Sequence, residues 1–228
     1  MYTSSIILSE VIKLIRNKLA ALLAERSLKI TKVANETGIS RNTITSTAQN
    51  DGKMIQLETI NVLCQFLNVK PENFFEYLPY DFRTNTYITD IDVDNYGQDG
   101  ITIHKLVADL FLRKTSYAPM KKMEFDFTIE LMKPASPKPI DASFSDYTLT
   151  MFISIDLADK TQLKPLSEVW MNLTAGFRDD LKKQIVRDVT KSLKEQIIES
   201  DKVRINSNII TNAELFFEFN FESDILAL

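Results

Sequence analysis

The sequence predicts two domains: an all-α bundle of five short helices over residues 1–80, and an α+β domain over residues 87–228, mainly an antiparallel sheet covered by one long helix. Three observations carry that expectation. Apolar residues recur three and four apart through much of the first eighty positions. After Pro79-Tyr80 the helical period stops, and β-branched and aromatic residues begin to alternate with polar ones. Between Leu173 and Ile198 a single apolar stripe repeats every four residues over a span longer than any helix before it. Residues 81–86 are expected to link the two domains.

Val11, Leu14, Ile15, Leu19, Leu22 and Leu23 form one stripe, which predicts a first helix over Val11–Ala24. A second runs from about Ile30 to Glu36, followed by Thr37-Gly38-Ile39-Ser40, where Gly38 supplies positive φ past the helix end and Ser40 caps the next helix. That third helix, Arg41 to about Ala48, turns Ile44 inward and shows Arg41, Asn42, Thr45, Ser46 and Gln49 to solvent. So polar a surface on so short a helix does little for packing. The fourth helix, Leu57–Leu67, has Leu57, Ile60, Leu63, Cys64 and Leu67 inward, and the fifth, Pro71–Tyr77, opens on a proline suited to a first helical position.

The stretch Ile12–Pro79 resembles the Cro/CI-type (XRE-like) helix-turn-helix domain of phage and bacterial repressors, chiefly through "ITKVANETGISRNTI" and "LETINVLCQFLNVKPENFFEYLP" in that order and spacing. The resemblance implies a lambda-repressor-like bundle in which Ile30–Glu36 crosses the DNA backbone and Arg41–Ala48 lies in the major groove. It places Arg41, Asn42, Thr45 and Ser46 at base edges, Arg for guanine and Asn for adenine, and Thr31, Lys32, Gln49, Asn50 and Lys53 at phosphates. Two departures stand out. Ile30 occupies the position of a phosphate-binding Gln in many members, and Thr47-Ala48 replace a bulky residue and a glutamate, which predicts a looser last turn of the recognition helix.

In the second domain, strands are expected over Tyr87–Val93, Ile101–Leu112, Met123–Leu131, Tyr147–Leu157 and Glu214–Phe221. Alternation is plain in Phe125, Phe127 and Ile129 and again in Leu215, Phe217, Phe219 and Phe221, the pattern of a sheet with one buried face. "IHKLVADLFL" fits a helix as well as a strand. Pro134, Pro137 and Pro139 mark a loop. The long helix has Leu173, Phe177, Leu181, Ile185, Val189, Leu193 and Ile197 facing the sheet, assisted by Val186 and Ile198.

Residue chemistry removes most catalytic readings. With one cysteine, Cys64, and one histidine, His104, the chain builds neither an internal disulfide nor a Cys/His zinc cage. Cys64 reads as a core residue, His104 as structural and Trp170 as a core aromatic. Ala175-Gly176 is the sole bond of the kind self-cleaving repressors cut, and it lies within the long helix with too little chain after it for a protease domain. Asp90, Asp92, Asp94 and Asp99 fail the calcium-loop signature, since the sixth position from Asp90 is Asn95 and the twelfth Ile101. Glu124, Asp126, Glu130 and Lys133 read as a solvated strand face, and Gly97 and Gly100 lack the partners of a phosphate loop.

Charge is uneven. Residues 1–80 carry nine Lys/Arg against seven Asp/Glu, leaving 18 of the chain's 27 basic and 24 of its 31 acidic residues to positions 81–228. No apolar run is long enough to span a bilayer, and the first ten residues lack the order of a signal peptide, so a cytoplasmic, non-membrane protein is expected. The function expected is a sequence-specific transcriptional repressor of a phage or mobile element, not an enzyme and without cofactor or metal. It binds a palindromic double-stranded operator as a homodimer and is relieved by a partner such as an antirepressor on the C-terminal domain rather than by self-cleavage. The competing reading is a helix-turn-helix autorepressor fused to a C-terminal protein inhibitor, whose acidic surface imitates nucleic acid.

Overall fold

The structure, a computed structural model, describes residues 14–51, 54–95, 101–117, 119–140, 147–200, 203 and 213–221. Two compact units divide at Tyr80 and Asp81.

The first unit opens not on a helix but on a strand, β1 (Ile15–Asn17), antiparallel to β2 (Phe75–Tyr77). Arg16 and Glu76 are register partners whose side chains meet at 2.9 Å, and the Leu78 N–H donates to the Leu14 carbonyl. This pairing shortens two expected helices. The stripe through Leu14 and Ile15 is overridden, leaving Ile15 61% exposed, and Val11 lies outside the described residues. Helix α1 (Leu19–Glu25) starts where the Asn17 side chain accepts the Leu19 N–H at 3.0 Å. At the other end α5 (Pro71–Phe74) stops as Phe75 turns extended to join β2.

Between them, α2 (Ile30–Thr37) ends on Gly38 at φ 75°, and α3 (Arg41–Gln49) begins on Ser40, whose Oγ accepts the Thr43 N–H. Helix α4 (Leu57–Leu67) buries Ile60, Leu63, Cys64 and Leu67, but Leu57 is 80% exposed rather than inward. Its place in the first turn puts it beyond the core that Leu19, Leu23, Val33, Ile44, Leu63 and Phe74 share.

In the second unit β3 (Tyr80–Asn95), β4 (Ile101–Tyr117), β5 (Met120–Leu131) and β7 (Tyr147–Leu157) follow one another across the sheet. The β4–β5 and β5–β7 pairs are antiparallel. Residues 81–86, expected as a linker, lie within β3, where Phe82, Thr84 and Thr86 are buried in alternation. The short β6 (Lys138–Pro139) extends the β5 side of β7, so the proline-marked segment is partly sheet. From β7 the chain passes through a 3-10 turn (Lys160–Gln162), α6 (Leu163–Met171) and α7 (Ala175–Glu199), then returns as β8 (Ala213–Phe221), parallel to β7. Among the described pairs of this mainly antiparallel sheet, β7–β8 is parallel, as a helical crossover requires.

The ambiguous "IHKLVADLFL" is strand, and its burial explains the ambiguity. Ile103 is buried, then Leu106, Ala108, Leu110 and Leu112, so the parity steps by one residue at His104-Lys105. That step mimics a helical spacing of three.

Helix α7 buries Phe177, Leu181, Ile185, Val189, Leu193 and Ile197, while Ile198, expected to assist, is 39% exposed. A strict four-residue stripe drifts by about 40° per step, so it follows a twisted surface instead of one straight seam. Beside it runs a second stripe that is polar. Gln184 donates to the Phe82 carbonyl, Asp188 accepts from the Thr84 hydroxyl, and Ser192 donates to the Thr86 carbonyl. Gln196 donates to the same Thr86 carbonyl and accepts the Ile88 N–H, both at 2.9 Å. Four helical residues rise about 6 Å and two strand residues about 6.6 Å, so the two ladders stay in step. The helix thereby bonds to three backbone groups and one side chain along Phe82–Ile88 of the outermost strand.

Candidate nucleic-acid interface

The sequence builds this site from a helix, a glycine turn and a capped helix. Gly38 takes the left-handed conformation that closes α2, its N–H bonded to the Ala34 carbonyl at 3.0 Å. Ser40 then caps α3, with its hydroxyl also 2.8 Å from that of Thr43. Ile44 and Thr47 face the core with 0% and 4% exposure, which fixes the rotation of α3. On the other side lie Arg41, Asn42 and Gln49, exposed, with Thr45 and Ser46 half-buried between them. Positions 42, 45, 46 and 49 share one face of a 3.6-residue helix, and Arg41 flanks it at the first turn. The Ser46 hydroxyl donates to the Thr43 carbonyl at 3.2 Å, leaving its oxygen to accept from outside.

Thr31 and Lys32 stand exposed at the start of α2, with Lys32 Nζ 3.9 Å from Glu36 one turn on. Lys53 lies outside the described residues. Ile30 packs against the core, so the position that carries a polar phosphate ligand in many family members is spent here on apolar contact.

The last turn of α3 is held rather than loose, and Asn17 holds it. Only 2% exposed, Asn17 donates from Nδ2 to the Thr47 carbonyl at 2.7 Å and to Asn50 Oδ1 at 2.8 Å. Its backbone N–H also donates to Asn50 Oδ1, and Asn50 Nδ2 returns a bond to the Asn17 carbonyl. Asn50 sits in the left-handed region at φ 57°, closing the helix with its own N–H. Its Oδ1 and one Nδ2 hydrogen are thus engaged by Asn17. An Asn just ahead of an apolar helix is a capping signal in the sequence, masked there by the longer stripe through Leu14 and Ile15.

Residues 18–79 match the Cro/C1-type HTH DNA-binding domain family. This stretch begins one residue after Asn17 and contains the whole helix-turn-helix, so the Asn17–Asn50 tie braces the Cro/C1-type domain from just outside the matched region. The chain is also similar to the crystal structure of a Bacteroides fragilis protein provisionally described as DNA-binding, at 26% identity over 27% of this chain and 98% of that one, with a TM-score of 0.25. No curated protein matches the chain.

The remaining chemistry-bearing residues are engaged elsewhere. Asp90 meets Lys105 at 2.8 Å and Asp94 meets His104 at 3.1 Å, so these two carboxylates face the basic residues of the neighbouring strand. The bond to Asp90 raises the Lys105 pKa. Glu124 binds Arg113, Asp126 is bonded to Gln162, and Lys133 Nζ lies 3.6 Å from the Phe152 ring centre. Among the described residues no group of three His, Cys, Asp or Glu is arranged to hold a metal ion. Burial pushes the Cys64 thiol up, away from the thiolate. Trp170 is core, 2% exposed. No helix among the described residues is long and apolar enough to cross a membrane.

Proposed function

We propose that the chain is a sequence-specific transcriptional repressor that reads DNA with the outer face of α3. The observation that supports this reading is a short helix whose polar face is turned outward while both its ends are fixed, by Ser40 at the start and by Asn17 and Asn50 at the end. Arg41, Asn42, Thr45 and Ser46 are assigned to base edges, and Thr31, Lys32, Gln49, Asn50 and Lys53 to phosphates, Asn50 also bracing the end of α3. Nine residues of helix contact few bases, so the chain acts as a homodimer with recognition helices about 34 Å apart on a palindromic operator. The resemblance of the first domain suggests a phage or mobile-element setting. Relief is assigned to a protein partner on the second domain rather than to self-cleavage, since the Ala175-Gly176 bond lies in the first turn of α7.

Selecting random DNA with the purified chain tests the reading, and an enriched palindrome is the expected result. On that site Arg41→Ala costs about 1–3 kcal/mol and relaxes preference at one base pair, whereas Lys53→Ala weakens all sequences alike. Equal losses on cognate and random DNA from both substitutions would show Arg41 to be a phosphate contact. Selection that enriches nothing ends the repressor reading.

A further inference from the structure

The two edges of the second unit's sheet are treated differently. At β3 the stripe Gln184, Asp188, Ser192 and Gln196 bonds to the outermost strand over Phe82–Ile88, so that stretch is covered from within the chain. At the opposite end β8 pairs, among the described residues, with β7 alone. Its inner row, Leu215, Phe217, Phe219 and Phe221, continues the buried row of β7, where Leu149, Met151, Ile153 and Ile155 are register partners and are all fully buried. Yet Phe217 and Phe219, stacked with centroids 6.1 Å apart, remain half-exposed, and Phe216 on the outer row is 45% exposed. A strand edge that no other described strand pairs with, flanked by aromatic surface, is a template for another strand.

We infer that the homodimer forms through this edge, β8 of one copy adding antiparallel to β8 of a second about a two-fold axis at Phe217. The inference deepens the homodimer reading above by naming the strand that makes it. The residue pattern selects both partner and register. Centred on Phe217, all nine residues Ala213–Phe221 pair, with Leu215 opposite Phe219 and Glu214 opposite Asn220, and Phe216 opposite Glu218. The inner row then meets its own copy and the apolar layer runs unbroken across the axis. Centring one residue either way sets Glu214 against Glu218, or Glu218 against itself, and like charges directly opposed are unfavourable. A half-step slip turns the partner's apolar row to the acidic side. A two-fold axis suits a self-complementary strand of this kind, because each contact is made twice.

Phe216 provides a test at an exposed position. In sedimentation of the full chain without DNA, Phe216→Lys sets a lysine opposite Glu218 twice and tightens the dimer. Phe216→Glu sets carboxylate against carboxylate and loosens it, each by on the order of tenfold in dissociation constant. Adding Glu218→Lys to Phe216→Glu restores opposite charges and returns the constant to within about threefold of the parent. A parent chain that is monomeric at tens of micromolar overturns the inference, as do two Phe216 variants that shift in the same direction or a double variant that does not recover. Should Phe216→Glu fail to fold, the lysine variant alone still decides, since an unchanged or weaker dimer overturns the pairing. Operator selection is scored separately. Charge-dependent sedimentation with no enriched DNA removes the repressor reading and leaves the pairing, and enriched DNA with charge-independent sedimentation does the reverse.

Discussion

Helices α3 and α7 both carry polar residues at a spacing of about one turn, and the two sets meet opposite fates. On α7, Gln184, Asp188, Ser192 and Gln196 are consumed by strand β3, each bonded to a group of Phe82, Thr84, Thr86 or Ile88. On α3, Arg41, Asn42 and Gln49 face solvent, while Asn50, at the cap, is bonded to Asn17. Periodicity in the sequence does not separate these cases. What separates them is whether a neighbouring backbone has unmet hydrogen bonds: a sheet edge has them along its length, whereas the outer face of a bundle has none. A polar stripe therefore points to a ligand only when the fold leaves its donors and acceptors unspent.

The largest expected effect that tests this contrast lies at the brace of α3. Asn17→Ala removes donors to the Thr47 carbonyl and Asn50 Oδ1 and the acceptor for the Leu19 N–H, all at buried or half-buried positions. Leaving such groups unmet costs about 2–4 kcal/mol in the first unit. Hydrogen exchange at the amides of α1 and α3 should accelerate accordingly, and DNA affinity should fall although no DNA-facing side chain has changed. Unaltered exchange at α3 would show that the last turn holds itself.

A matched pair of substitutions comes next. Gln196→Ala strips a donor from Thr86 and an acceptor from Ile88, an expected loss of about 1–3 kcal/mol in urea unfolding. Gln49→Ala, on the exposed face of α3, should stay within about 0.5 kcal/mol in the same measurement and show its cost only in DNA binding. If the two glutamines cost folding equally, the distinction between spent and unspent stripes fails.

Much of this was legible because local chemistry decided it. Gly38 and Ser40 mark the turn and cap of the helix-turn-helix with no help from distant residues, and strict alternation in β5 and β7 survives because both strands lie inside the sheet. The misread segments depend on partners far away in sequence. Ile15–Asn17 is strand because Phe75–Tyr77 lies beside it, and a helical stripe carries no trace of that pairing. Ile101–Leu112 looks helical because of the parity step at His104-Lys105. Asn17 lies 33 residues from Asn50, and Gln196 is 110 from Thr86, so neither role is written in local spacing.

The smallest effect belongs to polar groups that are neither spent on the fold nor reserved for a ligand. Lys160 Nζ donates to Asp156 Oδ2 at 2.7 Å across the end of β7, with the lysine side chain 71% exposed and the aspartate 34%. That bond, with a further one from the Leu157 N–H, holds the Asp156 carboxyl below its ordinary range against the opposing effect of burial. A carboxylate depressed in the folded state contributes stability above its unfolded pKa of about 4 and loses it as pH falls through the folded value. Water screens so exposed a pair, so Lys160→Ala should cost no more than about 0.5 kcal/mol at pH 7. The difference between variant and parent in urea melts should shrink as pH is lowered below about 4 and Asp156 takes up its proton. A cost as large as that of Gln196→Ala, or one that persists undiminished at the acid end, would mean that surface ion pairs on this unit weigh as much as the buried ladder, and burial of the partner backbone would no longer be what ranks its polar groups.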